Sequence, residues 1–311
     1  MATSKTGSKA STVKKSPVKK AMTSAAKTKT TVKTVATAKT KSNIFKKANG
    51  EINFPAIIIA EIIGTFILTL VAVLALQETA YLYVGLTVVV LVLSVGVVSG
   101  AHLNPAVTFG LWAARKLRSV LLPVYWVAQF VGAILAMLVL GLFSGSGYVL
   151  DFSHFTNFSW GITGVELLGT AVFLFGLMAA VTNDKLTQAS KAFGIGLALS
   201  VGLLVSATAL TTVHEGKYAA YQASQQAPAA GDDAEAPVIP AELYVKGATL
   251  NPAVALAATE RTESQLSGYG ATTEEVKHSR LGLEVIVGTL IGAAIGTNLY
   301  LLLAYAHRQG K

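Results

Sequence analysis

The chain has 311 residues, of which 52% are hydrophobic and 13% charged, with a formal net charge of +9. An ordinary soluble domain carries about 25% charged residues, so the composition favours a protein embedded in lipid. Cysteine is absent, which excludes a disulfide framework and a thiolate metal site; with no Ser-His-Asp order or phosphate loop in the sequence, we expect neither an enzyme nor a cofactor.

Residues 1–50 form a basic tail. They hold 13 of the 25 Lys and Arg residues and no Asp or Glu, which leaves a body with 12 basic and 16 acidic residues. Rich in Lys, Ala, Thr and Ser, the tail cannot bury enough apolar surface to fold by itself. We predict a disordered tail over 1–50 and a membrane domain over 51–311.

The KKSPVKK segment of the tail suits an anionic partner. Lys-rich arms contact the phosphates of nucleic acids, but beside a membrane domain they also contact anionic lipid headgroups or simply remain solvated. We favour the lipid or solvated alternative and expect no nucleic-acid partner. An organelle transit peptide stays open, although such peptides favour Arg; without an apolar core segment we expect no secretory signal.

Six apolar runs follow the tail. A helix that crosses a bilayer needs about 20 mainly apolar residues. The runs therefore predict six membrane-spanning helices, over 55–76, 80–99, 120–143, 162–183, 192–212 and 282–305.

Basic residues in the short connections predict the orientation. Arg115, Lys116 and Arg118 follow the second run, and Lys185 and Lys191 follow the fourth. Lys and Arg are enriched in cytoplasmic loops, so these loops, the tail and the C-terminus are expected in the cytoplasm. The prediction is a multi-pass protein of the cell membrane.

The membrane domain contains an internal repeat. NPAV occurs at 104–107 and again at 251–254, and AEIIGTF at 60–66 matches VELLGTA at 165–171, which makes Glu61 and Glu166 equivalent. Repeat one covers 55–143 and repeat two 162–305, each with three spans. Because three is odd, the second copy enters the membrane from the opposite side, an arrangement that places a site at the bilayer midplane.

Each NPA segment predicts the start of a short helix. Asn is a preferred N-cap, and Pro suits the first helical turn. The segments comprise Asn104, Pro105 and Ala106 in the first copy and Asn251, Pro252 and Ala253 in the second. The two half-helices, about 104–114 and 251–260, would meet near the midplane with their N-termini together, where irregular backbone is tolerated if it lines a water-filled cavity.

The sequence resembles the major intrinsic protein family, the aquaporins and aquaglyceroporins. The resemblance rests on SGAHLNPAVTFG at 99–110, the paired NPA motifs, AEIIGTF with VELLGTA, and YWVAQFVGA at 125–133, and it covers about residues 55–305. It implies an all-α membrane protein of six transmembrane helices plus two half-helices. It also implies homotetramers with one pore in each subunit.

Several polar residues acquire expected roles from this resemblance. The amides of Asn104 and Asn251 would donate to a passing oxygen and interrupt a proton-conducting water wire; the alternative is that they are only caps. Glu61 and Glu166 would hold loop backbone, with proton relay as the alternative. His102 would line the cytoplasmic half of the pore, as a structural residue or as a pH gate.

The narrowest part of the pore departs from the family. Most members carry Arg directly after the second NPA motif, where this chain has Val254; the other three positions fall on Val84, Leu203 and Ala248, with Gly202 as the rival of Leu203. This apolar constriction lacks a fixed charge worth about 4 kcal/mol against a cation 4 Å away. We predict a passive channel for water, glycerol, urea or ammonia. The alternatives are a water-only channel with an extracellular cap, an ion conductor and a non-conducting membrane interaction protein.

Two insertions distinguish the second half from the first. Glu61 and Asn104 are 43 residues apart, whereas Glu166 and Asn251 are 85 apart. The insertions, about 213–245 and 261–280, map to the extracellular side. They are either tolerated surface loops or a cap that supplies the missing polar selectivity, with candidate donors His214, Lys217, Lys246 and Arg261.

Overall fold

A computed structural model describes residues 52–75, 79–145, 149–226, 237–262, 265–266 and 277–309. The basic tail lies outside the described residues, and so do parts of both insertions. The predicted disorder of the tail and its lipid contacts therefore stay predictions.

The described residues are helical, apart from connecting segments and one pair of two-residue strands, so the predicted all-α fold is confirmed. In chain order the elements are α1 Phe54–Leu74, α2 Ala80–Ser94, α3 Gly96–Ser99, α4 Pro105–Ala113, α5 Leu121–Ser144, β1 Val149–Leu150, α6 Trp160–Thr182, α7 Gln188–Gln226, α8 Ala241–Tyr244, α9 Pro252–Ala257, β2 Lys277–His278 and α10 Leu283–Gln309.

Among the described residues, five helices are long and apolar enough to cross a membrane: α1, α5, α6, α7 and α10. The remaining predicted span, 80–99, is divided. It consists of α2, which has 15 residues, and α3, with a break at Val95. The break adjoins Gly96, a residue type of low helix propensity, and α3 ends at Gly100, whose φ of 88° closes a helix in the left-handed region.

The two NPA segments begin short helices, as predicted. Asn104 caps α4 by accepting a hydrogen bond from the backbone N–H of Ala106 at 2.8 Å, and Asn251 caps α9 by accepting one from Ala253 at 3.0 Å. The second half-helix is shorter than expected. It ends at Ala257 rather than near 260, because Ala258 has an extended backbone conformation.

The two repeats pack alike around equivalent glycines. In repeat one, α5 approaches α1 so closely that a Cβ on Gly132 would lie 2.5 Å from the carbonyl oxygen of Ile62. In repeat two, α10 approaches α6, where a Cβ on Gly292 would lie 2.4 Å from the carbonyl oxygen of Leu167. Only glycine permits these approaches, so the sequence repeat is also a repeat of helix packing.

The first insertion begins as a helix, because α7 continues past the predicted end of its span at 212 as far as Gln226. At 1.5 Å per residue, the 39 residues of α7 extend for about 58 Å. The stretch 213–226 contains no Pro and several Ala and Gln residues, which favour the helix. Near the second insertion, β1 pairs in parallel with β2, with Val149 opposite Lys277 and Leu150 opposite His278.

Candidate pore

One cavity of about 360 Å³ is lined by residues of both repeats. It extends along α7 from Ile195 to His214, which lie 19 positions apart. At 1.5 Å per residue this is about 28 Å of helix, close to the roughly 30 Å thickness of a bilayer's hydrocarbon core. The cavity therefore has the length that a transmembrane pathway requires.

Asn104 and Asn251 both line this cavity. The Nδ2 atom of Asn104 donates to the carbonyl oxygen of Leu250 at 2.8 Å, and the Nδ2 atom of Asn251 donates to the carbonyl oxygen of Leu103 at 3.0 Å. Each Asn therefore caps its own half-helix and is bonded to the loop that precedes the other. An amide nitrogen carries two hydrogens, so each keeps a second one for an oxygen in the cavity.

Glu61 lies fully buried in α1 and fixes the loop before α4. Its Oε1 atom accepts hydrogen bonds from Ser99 Oγ at 2.5 Å and from the backbone N–H of His102 at 3.0 Å. Its Oε2 atom accepts from the backbone N–H of Leu103 at 2.7 Å and from Gln129 Nε2 at 2.8 Å. The carboxylate thus has four donors.

Glu166 fixes the loop before α9 in the same way. Its Oε1 atom accepts from the backbone N–H of Thr249 at 2.9 Å, and its Oε2 atom accepts from the backbone N–H of Leu250 at 2.8 Å. Leu103 and Leu250 have φ values of 55° and 51°, a left-handed conformation that persists in non-glycine residues when the surroundings enforce it. Both carboxylates provide that enforcement, and neither one lines the cavity.

His102 lines the cavity and is held on two sides. Its Nδ1 atom lies 3.2 Å from Thr108 Oγ1, and its ring stacks on that of Tyr125 with centroids 4.3 Å apart. The hydroxyl of Tyr125 in turn donates to the carbonyl oxygen of Ser99. The histidine therefore both lines the cavity and packs into the structure around the first NPA loop.

The four residues predicted to form the constriction also line the cavity: Val84, Leu203, Ala248 and Val254. Gly202, the rival of Leu203, lies against α6 instead, where a Cβ would be 2.7 Å from the carbonyl oxygen of Gly169. The cavity lining therefore includes all four apolar side chains of the predicted constriction.

Three cationic side chains line the same cavity, and we call them the basic mouth: Lys246, Arg261 and Arg280. Lys246 Nζ donates to Thr259 Oγ1 at 2.6 Å. Burial lowers the pKa of Lys246 and nearby Arg261 lowers it further, whereas Glu260 raises it; the net pKa lies below the ordinary lysine value.

Arg261 is anchored to the segment before the second NPA loop. Its Nη1 atom donates to the carbonyl oxygens of Leu243 at 3.0 Å and Val245 at 2.7 Å. Burial lowers the pKa of its guanidinium, but an arginine remains charged in proteins.

The other two candidate donors have different surroundings. His214 lines the cavity, and its Nε2 atom lies 2.9 Å from the carbonyl oxygen of Glu242. Lys217 is paired instead with the Glu242 carboxylate, at 2.8 Å from Oε1, and does not line the cavity.

Sequence reasoning missed Arg280, which is 2% exposed. Its Nη1 atom donates to Glu284 Oε1 at 2.8 Å, its Nε atom lies 3.6 Å from Glu260 Oε1, and Nη2 has no hydrogen-bond partner among the described residues. Its backbone N–H donates to the carbonyl oxygen of Ala258, directly after α9. The one sequence signal was a basic residue immediately before an apolar run, which resembles an ordinary loop end.

The chain matches a known protein family over more than half its length. The family profile described as "Major intrinsic protein" covers residues 59–229. That match includes the first NPA segment and ends before Asn251, so the second half-helix rests on the motif and the geometry given above.

Individual relatives cover smaller parts of the chain. Aquaporin Z of Photorhabdus laumondii is 33% identical over 172 residues, 47% of this chain and 74% of that protein. Mouse aquaporin-1 is 34% identical over 128 residues, 39% of this chain and 47% of that protein. A solved structure, the aquaglyceroporin from Plasmodium falciparum, is 20% identical and covers 80% of this chain and 95% of that one, with a TM-score of 0.46.

Proposed function

This chain belongs to the major intrinsic protein family, and on that premise we propose that it forms a passive transmembrane channel for small neutral solutes: water, glycerol, urea or ammonia. One observation carries the proposal. A single cavity follows α7 for about 28 Å and is lined both by the paired Asn residues and by the four apolar residues beside them.

The centre of the cavity supports exclusion of protons. Each half-helix presents roughly half a positive charge at its N-terminus, and the two N-termini are joined through the Asn104 and Asn251 hydrogen bonds. The free hydrogen of each amide would bind the oxygen of a passing solute. A water molecule held in this way cannot relay a proton along a chain of waters.

The apolar constriction supports passage of solutes less polar than water. Val84, Leu203, Ala248 and Val254 offer no side-chain hydrogen bonds, so an ion would lose hydration there without compensation. A solute with carbon atoms loses less, because its apolar part meets apolar walls. We therefore include glycerol and urea among the permeants.

Assembly and orientation complete the proposal. We propose homotetramers with one pore in each subunit, located in the cell membrane with both termini in the cytoplasm. Large apolar side chains that are exposed on the spanning helices, such as Ile59, Val127 and Leu197, suit contact with lipid or with neighbouring subunits. With both termini in the cytoplasm, the basic mouth opens on the extracellular side.

The test is solute flux measured by stopped-flow light scattering on purified protein in liposomes. Gradients of water, glycerol and urea are applied to one preparation, with empty liposomes as the baseline. We expect glycerol or urea flux above that baseline, together with water flux. Fast water flux without glycerol or urea flux would favour the water-only alternative and overturn the proposed permeants.

A further inference from the structure

We infer that the basic mouth replaces the positive charge that the constriction lacks at Val254, with Arg261 and Lys246 as the residues that exclude cations. The inference rests on the proposed channel function and identifies residues that determine its selectivity. In place of an arginine on the half-helix α9, the positive charges lie in the segments before and after it, at Lys246 and Arg261.

Among the described residues, every charged side chain that lines the cavity is positive. Within the described residues, the cavity lining includes Lys246, Arg261 and Arg280 but no carboxylate, whereas a second pocket that Lys246 and Arg261 also line contains Glu242, Glu260 and Glu284. A narrow passage with charge of one sign and walls of low dielectric concentrates the electric field. Inside this cavity, a permeating cation therefore meets repulsion that no lining carboxylate offsets.

Lys246 and Arg261 lie close in sequence to two members of the apolar constriction. Lys246 precedes Ala248 by two residues, and Arg261 follows Val254 by seven. Ala248 and Val254 are both members of the apolar constriction, and α9 contributes only six residues between the two basic ones. Both basic residues line the same cavity as Ala248 and Val254, and the Nζ atom of Lys246 donates to Thr259, two residues beyond the end of α9.

Backbone carbonyl groups anchor Arg261. Its Nη1 atom bonds to the carbonyl oxygens of Leu243 and Val245, and its backbone N–H donates to the carbonyl oxygen of Tyr244 at 2.8 Å. Among the described residues it forms no ion pair with a carboxylate. Because neutral carbonyl groups hold the guanidinium, its position is fixed and its positive charge is not neutralised by a bound carboxylate.

Arg280 has a different part. Its guanidinium is bonded to Glu284, lies near Glu260, and is close enough to Glu166 for electrostatic interaction. These carboxylates offset its charge, while its backbone bond to Ala258 ties the end of the second insertion to α9. Arg280 is thus a positioning residue. Glu260 also acts electrostatically on Lys246, so Arg261, which forms no ion pair among the described residues, contributes the least offset positive charge.

This arrangement separates two properties that one arginine at position 254 would combine. An arginine there would both exclude cations and narrow the neck. With the charge displaced, the neck stays apolar for larger neutral solutes while cations are excluded beside it.

The experiment compares cation current with glycerol flux in the same liposome preparation. The variants are Arg261→Gln, Lys246→Gln and the double variant, with Arg261→Lys to retain charge and Lys217→Gln as a matched loss of a lysine that does not line the cavity. We expect the ratio of Na⁺ current to glycerol flux to rise about tenfold or more in the double variant. Lys217→Gln should leave the ratio at the wild-type value, and Arg261→Lys, which retains the charge, should raise it less than Arg261→Gln does.

A rescue variant distinguishes charge from misfolding. Adding Val254→Arg to the double variant restores a positively charged side chain at the constriction. If the lost charge causes the leak, the Na⁺ current should then fall again. The inference is overturned if the double variant has the same size-exclusion profile as the wild type and its Na⁺ current is no higher than that of the wild type. Absence of glycerol and urea flux in the wild type would instead overturn the proposed function.

Discussion

Asn104 and Asn251 are linked by reciprocal hydrogen bonds. Each side-chain amide donates to the carbonyl oxygen of the leucine that precedes the other asparagine, at 2.8 and 3.0 Å. Both asparagines are 3% exposed and cap the half-helices α4 and α9. The contact between the two repeats therefore depends on the same groups that would meet the solute.

Asn251→Asp tests this link. The substitution keeps the cap acceptor but replaces the donor NH₂ with an oxygen that faces the carbonyl of Leu103. Leaving a buried acceptor without its donor costs about 1–3 kcal/mol, so the thermal unfolding midpoint in detergent should fall. Asn104→Asp should produce a similar decrease, and the double variant should fall by less than the sum, because the two residues belong to one network.

Glu61→Gln and Glu166→Gln test the role of the buried carboxylates. A Gln side chain keeps one acceptor oxygen but turns an NH₂ group toward backbone N–H donors. We expect Glu61→Gln to destabilise more, since Glu61 has four donors and Glu166 has three. Thermal unfolding of both variants measures this, with Glu215→Gln on the exposed part of α7 as the control; equal midpoints in all three variants would contradict the assignment.

Gly292→Ala tests the close approach of α10 to α6. A new Cβ would lie 2.4 Å from the carbonyl oxygen of Leu167, so the helices must separate. Overpacking of this kind typically costs about 1–3 kcal/mol. The matched control is Gly164→Ala on α6, where no atom lies within 4 Å of the new Cβ; helix propensity should make that variant neutral or slightly more stable.

The contact that holds the extension of α7 should depend on pH. Burial raises the pKa of Glu242, but hydrogen bonds from Lys217 and Ser159 outweigh it, and the net pKa lies below the ordinary value of 4.5. A carboxylate with a depressed pKa stabilises the fold above its unfolded pKa and loses that contribution as the pH falls through the folded pKa. Because Lys217 is largely exposed, the effect should stay below about 1 kcal/mol.

Hydrogen exchange of residues 213–226 measures this contact. Protection should decrease below about pH 4.5 as Glu242 becomes protonated. His214 lies in the same stretch, and because burial lowers its pKa it adds a loss of protection as the pH falls below 6.5. Glu242→Gln should show the weaker protection at every pH. A wild type that loses no more protection below pH 4.5 than Glu242→Gln does would contradict the depressed pKa of Glu242.

Local patterns in the sequence predicted much of the architecture. Apolar runs of about 20 residues indicated the spanning helices, and the duplicated NPA motif indicated the half-helices, because hydrophobicity and capping act over a few neighbouring residues. The equivalence of Glu61 and Glu166 followed from a seven-residue match. These features need no knowledge of distant contacts.

Features that depend on distant contacts were missed. The composition of residues 213–226 permits a helix, but its polarity is equally typical of a surface loop, so the continuation of α7 beyond the span was not predicted. Nothing local to Arg280 shows that it folds back to the end of α9. Both belong to insertions without a counterpart in repeat one, so the repeat gave no guide. The pairing of β1 with β2 joins segments 128 positions apart, and no local pattern in either segment indicates its partner.

Labelling with a water-soluble thiol reagent tests the proposed pathway most directly. The chain has no cysteine, so a single introduced thiol is the only target. Leu203→Cys places it in the cavity lining, whereas Leu204→Cys, the matched control, places it on an exposed position of α7 that does not line the cavity. We predict that the reagent blocks glycerol and water flux through the Leu203→Cys channel and leaves the Leu204→Cys channel unaffected; unchanged flux through a fully labelled Leu203→Cys channel would contradict the account.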